Sequence, residues 1–84
     1  MMKYPTNWQE EDNFLVRTFE FDNFVRAVNF VNEIVPIAEE QGHHPDIEIF
    51  SYKKVRVKLT THDEGYKVTN KDVELAEKIN GVVK

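Results

Sequence analysis

The run from Asn23 to Gln41 narrows the possible folds of this chain more than any other stretch. Phe24, Ala27, Val28, Val31, Ile34, Val35 and Ala38 recur there at i, i+3, i+4 and i+7, the spacing that predicts the core face of a helix. Val25, Phe30 and Ile37 widen the apolar surface beyond one stripe, so the helix is expected to pack against a second partner as well as its own sheet. Asp22 offers an N-cap side chain, and Pro36 removes one backbone donor, which predicts a bend near Glu33 to Val35. Gly42 suits the left-handed residue that ends a helix. The chain has 84 residues, so the core around such a helix is thin, and association between copies is an expected source of further stability.

The flanking segments read as strands. Phe14 to Phe21 is aromatic and β-prone, with Leu15, Arg17, Phe19 and Phe21 on one parity. Pro45 forces His44 out of helical dihedrals and starts an extended run. In Asp46 to Ser51, Ile47 and Ile49 alternate with Glu48. Tyr52-Lys53-Lys54 is expected to turn, without the usual Asn-Gly signal. Val55 to Thr61 then alternates cleanly, Val55, Val57 and Leu59 inward and Arg56, Lys58 and Thr60 outward, with His62 at the strand's end. Asp63 to Val68 is a loop around Gly65. Thr69-Asn70-Lys71-Asp72 has the layout of a capping box, predicting a second helix to about Asn80, with Val73, Leu75, Ala76 and Ile79 apolar and Gly81 as its stop. Met1 to Asp12 reads as an irregular lead-in whose Trp8 either closes the core or walls a pocket. This order predicts a single α+β domain over residues 1–84, with helices on one face of an antiparallel sheet.

Charge and composition exclude several function classes. The net charge is −4 with acidic and basic residues intermixed, the opposite of a nucleic-acid footprint. There is no cysteine, so neither disulfides nor a thiolate metal site can form. No apolar run reaches membrane-spanning length, and the N-terminus lacks the apolar region of a signal peptide, so the expected location is the cytoplasm.

Chemistry is written in one place. His43, His44 and His62 are all the histidines in the chain. A metal site completed by Glu39 or Asp46 is one reading, but adjacent histidines in an extended segment point to opposite sides, and no His-Glu-x-x-His or His-x-His spacing is present. Imidazoles that merely cap a helix C-terminus are a second. The third is acid/base catalysis, since imidazole can accept and donate protons near neutral pH.

Glu39-x-x-x-His43-His44-Pro45, then Tyr52, His62 and Asp72, resembles the signature of the pterin-4a-carbinolamine dehydratases. Phe19-x-Phe21-x-x-Phe24, Leu59-Thr60-Thr61-His62-Asp63 and Asp72-Val73-Glu74-Leu75-Ala76 resemble the family's flanking segments, and the likeness runs from about Trp8 to Asn80. Two spacings depart from the pattern. Six residues separate Pro45 from Tyr52 where the family has five, which a bulge or longer turn must absorb. Glu64-Gly65-Tyr66-Lys67-Val68-Thr69 is one residue longer than the family's segment, which carries a glycine pair followed by Leu-Thr. Gly42 also stands where some members carry an acidic or amide residue.

The resemblance implies a hydro-lyase that dehydrates 4a-hydroxytetrahydropterin to quinonoid dihydropterin without a cofactor or metal, recycling the cofactor of aromatic amino acid hydroxylases. By the same resemblance His43 is the main acid/base catalyst, His62 its counterpart on the leaving-hydroxyl side, and His44 a ring-positioning residue. Glu39 would fix an imidazole tautomer, Pro45, Thr61, Asp63 and Glu64 would line the pterin pocket, and Trp8 would stand beside it. Asp72 reads as a helix-start residue. A fourth strand is expected from the lead-in, and a homodimer or homotetramer is the expected assembly, with no nucleic-acid or membrane partner. Alternatives are a non-catalytic dimerisation or coactivator-type binding module, as in animal relatives, and pterin chemistry linked to molybdenum-cofactor metabolism.

Overall fold

A computed structural model describes residues 3–83. The lead-in supplies the expected fourth strand, β1 (Gln9–Glu11), followed by β2 (Phe14–Glu20), helix α1 (Phe24–Gln41), β3 (Asp46–Phe50), β4 (Lys54–Leu59) and helix α2 (Asn70–Val82), with a short 3₁₀ turn at His62–Glu64. The strands lie in the order β1-β2-β4-β3, and every neighbouring pair is antiparallel. Leu15 stands opposite Leu59 and Phe19 opposite Val55, while Ile47 faces Val57. One sheet face therefore carries Leu15, Phe19, Val55, Val57 and Leu59, and it is buried under Ala27, Phe30 and Ile34 of α1 and Leu75, Ala76 and Ile79 of α2. This is the α+β architecture read from the strand periodicity. The outer face of the sheet is half-exposed. There the Lys58 ammonium lies 4.4 Å from the centre of the Phe14 ring and the Arg56 guanidinium 4.5 Å from that of Phe50, so the chain's own cations cover its outward aromatics.

Element ends follow local chemistry, sometimes one residue from where sequence places them. Asn23, not Asp22, is the N-cap of α1, its Oδ1 accepting from the Arg26 N–H at 2.9 Å. Asp22 instead approaches the exposed Arg26 side chain at 4.0 Å. The helix continues through Pro36 to Gln41 and closes at Gly42 (φ 65°), whose N–H reaches the carbonyls of Ala38 and Glu39, while the His43 N–H donates to Ala38. These bonds make a Schellman closure. The β3–β4 ladder runs from Asp46↔Lys58 to Phe50↔Lys54 with no bulge. The extra residue before Tyr52 is taken up in the turn, where Ser51 (φ 49°) and Tyr52 (φ 52°) are both left-handed. β4 ends at Leu59, so His62 opens the 3₁₀ turn and does not finish a strand. Gly81 lies inside α2 and does not stop it.

The buried face of α1 is rotated from the stripe that its spacing suggests. Ala27, Ile34 and Ala38 are buried as expected, but Phe30 joins them, stacked 4.7 Å from Phe19 and 4.9 Å from Phe21. Phe24 and Val35 are exposed. Among the described residues, no helix is long and apolar enough to cross a membrane.

Candidate active site

Two helix ends and one loop build the site. The Schellman closure ties His43 to the last turn of α1, and Pro45 then holds the chain extended, so His43 and His44 diverge. At the other end, Thr69 and Asp72 form the predicted capping box at the start of α2. Asp72 sits in the first turn, where a carboxylate complements the helix dipole. The Asp72 carboxylate is fully buried. It accepts from the Thr69 N–H at 2.9 Å and from Thr61 Oγ1 at 2.8 Å, and meets His43 Nε2 at 2.5 Å. Because Thr61 spends its hydroxyl proton on Asp72, the 2.6 Å contact between Thr61 Oγ1 and Thr69 Oγ1 has Thr69 as donor. The result is a connected polar network, Thr69 to Thr61 to Asp72, closed by His43, in which each link polarises the next.

A carboxylate only accepts, so the Asp72 contact places the proton of neutral His43 on Nε2 and the lone pair on Nδ1. The His43 side chain is 12% exposed, enough to reach one side of a cleft and little more. His44 points elsewhere. Its Nε2 lies 2.6 Å from Glu39 Oε2, a pair whose side chains are mostly in solvent. The imidazole that Glu39 holds is thus His44, although Glu39 is only a helical turn before His43.

The cleft beside these groups has a volume of about 280 Å³ and is lined by Gly42, His43, His44, Thr61, His62, Asp63 and Lys71. All three histidines share it. A second, apolar cleft of about 260 Å³ lies on the other side of His44, and Glu39 and Pro45 line that one, with Ile34, Val35, Ala38 and Ile47. Glu64 lines neither cleft, and the Thr61 backbone is already committed: its N–H donates to Lys67 and its carbonyl accepts from Glu64 and Tyr66. Trp8 stands apart. It is buried in the core, packed edge-on against Phe19, and its Nε1–H donates to Asn80 Oδ1 at 2.8 Å. The same Asn80 oxygen accepts from Arg17 at 2.6 Å, and burial pulls the Arg17 guanidinium below its ordinary pKa. Among the described residues, no three histidine or carboxylate side chains converge where they could hold a metal ion. Asp72 is the residue whose place in this network sequence reasoning undervalued. Its capping-box position gave it a complete structural role, and nothing local indicates that a second helix end, 29 residues away in the chain, delivers an imidazole to the same carboxylate.

Comparison with known proteins places the chain among its relatives. A protein of Picosynechococcus provisionally named pterin-4-alpha-carbinolamine dehydratase is 55% identical over 76 residues, covering 90% of this chain and 79% of its own length. One of Sulfolobus acidocaldarius with the same provisional name is 51% identical over 75 residues, covering 89% and 80%. A crystal structure of a transcriptional coactivator/pterin dehydratase from Brucella melitensis superposes with a TM-score of 0.85 at 33% identity, covering 94% of this chain and 84% of that one. A pterin dehydratase-like RuBisCO assembly factor of the alpha-carboxysome, at 21% identity and a TM-score of 0.67, shares the fold. The family model for pterin 4 alpha carbinolamine dehydratase matches residues 1–82, and the chain belongs to that family.

Proposed function

We propose that this protein is a hydro-lyase that dehydrates a 4a-hydroxytetrahydropterin to the quinonoid dihydropterin by histidine acid/base catalysis. In the reaction the C4a–O bond breaks, the hydroxyl leaves as water after gaining a proton, and a ring N–H proton is lost as the new C=N bond forms. One group must therefore donate and another accept, which is work suited to imidazoles. The observation that carries the reading is the pair between buried Asp72 and His43 at 2.5 Å, which leaves His43 Nδ1 as the basic nitrogen of a partly enclosed imidazole. In this scheme His43 takes the ring-nitrogen proton, His62 across the cleft protonates the departing hydroxyl, and His44, held by Glu39, orients the heterocycle. Thr61 and Asp63 line the pocket beside them. Recycling of a tetrahydropterin cofactor is the role this chemistry would serve.

The test is a dehydration assay with chemically generated 4a-hydroxytetrahydropterin. His43→Ala and His62→Ala are each expected to slow the reaction by about 10²–10⁴-fold while the protein stays folded. Rates within a few-fold of the parent in both variants would refute the assignment. A parent without activity would instead favour a non-catalytic binding role, the other half of the Brucella protein's description.

A further inference from the structure

The three imidazoles of the cleft are not held alike. His43 and His44 each present a ring nitrogen to a carboxylate, at 2.5 and 2.6 Å. Neither ring nitrogen of His62 makes a hydrogen bond to another described residue within the chain. The side chain it does meet is Tyr66, whose ring centre lies 4.8 Å away at a tilt of 50°, inside the range of favourable aromatic pairs.

The local backbone is shaped to make that contact. After the 3₁₀ turn at His62–Glu64 the chain passes through two consecutive left-handed residues, Gly65 (φ 79°) and Tyr66 (φ 60°). Glycine takes that conformation freely, whereas a bulky side chain rarely does. It is held by three bonds that fold the loop onto itself: Gly65 N–H to His62 O at 3.1 Å, Tyr66 N–H to Thr61 O at 3.1 Å, and Thr61 N–H to Lys67 O at 3.0 Å. The double reversal returns the Tyr66 ring to His62. This ring does not serve the core, since Tyr66 is 57% exposed, and it is not among the residues lining the cleft. It also stands in the segment where this chain departs from the family's spacing.

Resting on the dehydratase reading above, we infer that Tyr66 is a positioning residue for His62. Its ring takes the place of the carboxylate that the other two imidazoles have, fixing the plane of the His62 ring by contact while leaving both ring nitrogens open to the substrate. A carboxylate would occupy one of those nitrogens and commit the tautomer. A ring contact does not, which suits a group that must give a proton to the departing hydroxyl and regain one from solvent.

Steady-state kinetics and NMR of the histidine ring protons, with the His62 signals assigned by their loss in His62→Ala, test this on the full chain. Tyr66→Leu is expected to lower kcat by about tenfold, the scale of a modest misplacement of a catalytic group, with KM changed less than about twofold. Tyr66→Phe keeps the ring and is expected to keep the rate. The double variant Tyr66→Leu/His62→Ala is expected to be no slower than His62→Ala alone, because a residue that acts only through His62 has nothing left to act on. The His62 ring protons should carry the ring-current displacement of a neighbouring aromatic in the parent and in Tyr66→Phe, and lose it in Tyr66→Leu. Unmoved His62 signals in Tyr66→Leu, or a double variant slower by the full additional factor, overturn the inference. The NMR arm is independent of turnover: a parent that dehydrates nothing but shows Tyr66-dependent His62 signals removes the proposed reaction and leaves the positioning role standing.

Discussion

Asp72 and Glu39 each hold one imidazole at nearly the same distance, and burial separates what the two contacts can do. Asp72 is fully enclosed and makes three hydrogen bonds. Replacing it by Asn presents an amide whose N–H₂ cannot accept, which disturbs the His43 tautomer or orphans the Thr61 or Thr69 donor. Asp72→Asn is therefore expected to slow dehydration by about 10²-fold or more and to lower the melting temperature. Glu39 and His44 are both mostly exposed, where solvent competes for every hydrogen bond. Glu39→Gln is expected to change stability by less than about 0.5 kcal/mol and the rate by a few-fold at most. Parallel kinetics and thermal melts on the two variants check this. If Glu39→Gln proves the slower enzyme, His44 and not His43 is the principal catalyst.

The elements make equally sharp demands on backbone conformation. Gly42 closes α1 at φ 65°, and a Cβ there would meet no atom within 4 Å, so Gly42→Ala suffers conformational strain alone, roughly 1–2 kcal/mol. Gly81 also has open space around its missing Cβ, but it lies within α2. Gly81→Ala is accordingly expected to stabilise by roughly 0.5–1 kcal/mol. Thr69→Ala removes the α2 N-cap and its link to Thr61, at about 1 kcal/mol or somewhat more. Urea titrations should show lowered midpoints for Gly42→Ala and Thr69→Ala and a raised one for Gly81→Ala, all at constant m. A destabilising Gly81→Ala would mean that α2 ends before Gly81. Because Gly42 also sets the direction in which His43 leaves the helix, Gly42→Ala should lose activity beyond what its stability explains.

Association of copies belongs to the scale of the whole molecule, and burial relocates where it can occur. Phe30 is 3% exposed, so it is not free for a partner, and Phe30→Glu would unfold the chain, while Ile37 lies half-buried on the far side of the core face. Phe24, Val25 and Val35 are the exposed large apolar residues of α1, and Phe24, Val28, Val31 and Val35 form a line at i, i+4, i+7 and i+11, with Val28 and Val31 half-buried between its ends. Those four residues lie along one side of the helix, beside the core face, and an apolar strip of that kind is what helix pairing between copies covers. Light scattering at micromolar concentration is expected to give a mass above that of one chain, and Val28→Glu to reduce it. A parent of monomer mass, or an assembly indifferent to Val28→Glu, would rule out this surface.

Much of this molecule was legible along the chain because the signals are local. Alternation in Val55 to Leu59 specifies a strand with one buried face, Gly42 and Pro45 specify the break that separates His43 from His44, and Thr69 and Asp72 specify a helix start, since each depends on residues within one or two turns of each other. The presence of three histidines was legible too, as was the family they resemble. Only the tertiary structure decided what depends on distant parts meeting. Phe30 is in the core because Phe19 of β2 and Phe21, just after that strand, stack on it, and Phe24 is out because its side of the helix lies beyond the core cluster. A helix apolar over so much of its circumference does not encode that choice. Trp8 is a core residue because Asn80 satisfies its N–H from the far end of the chain. Asp72 becomes the partner of His43 because the end of α1 and the start of α2 converge over the sheet, and local periodicity carries no information about a contact that sheet packing alone creates.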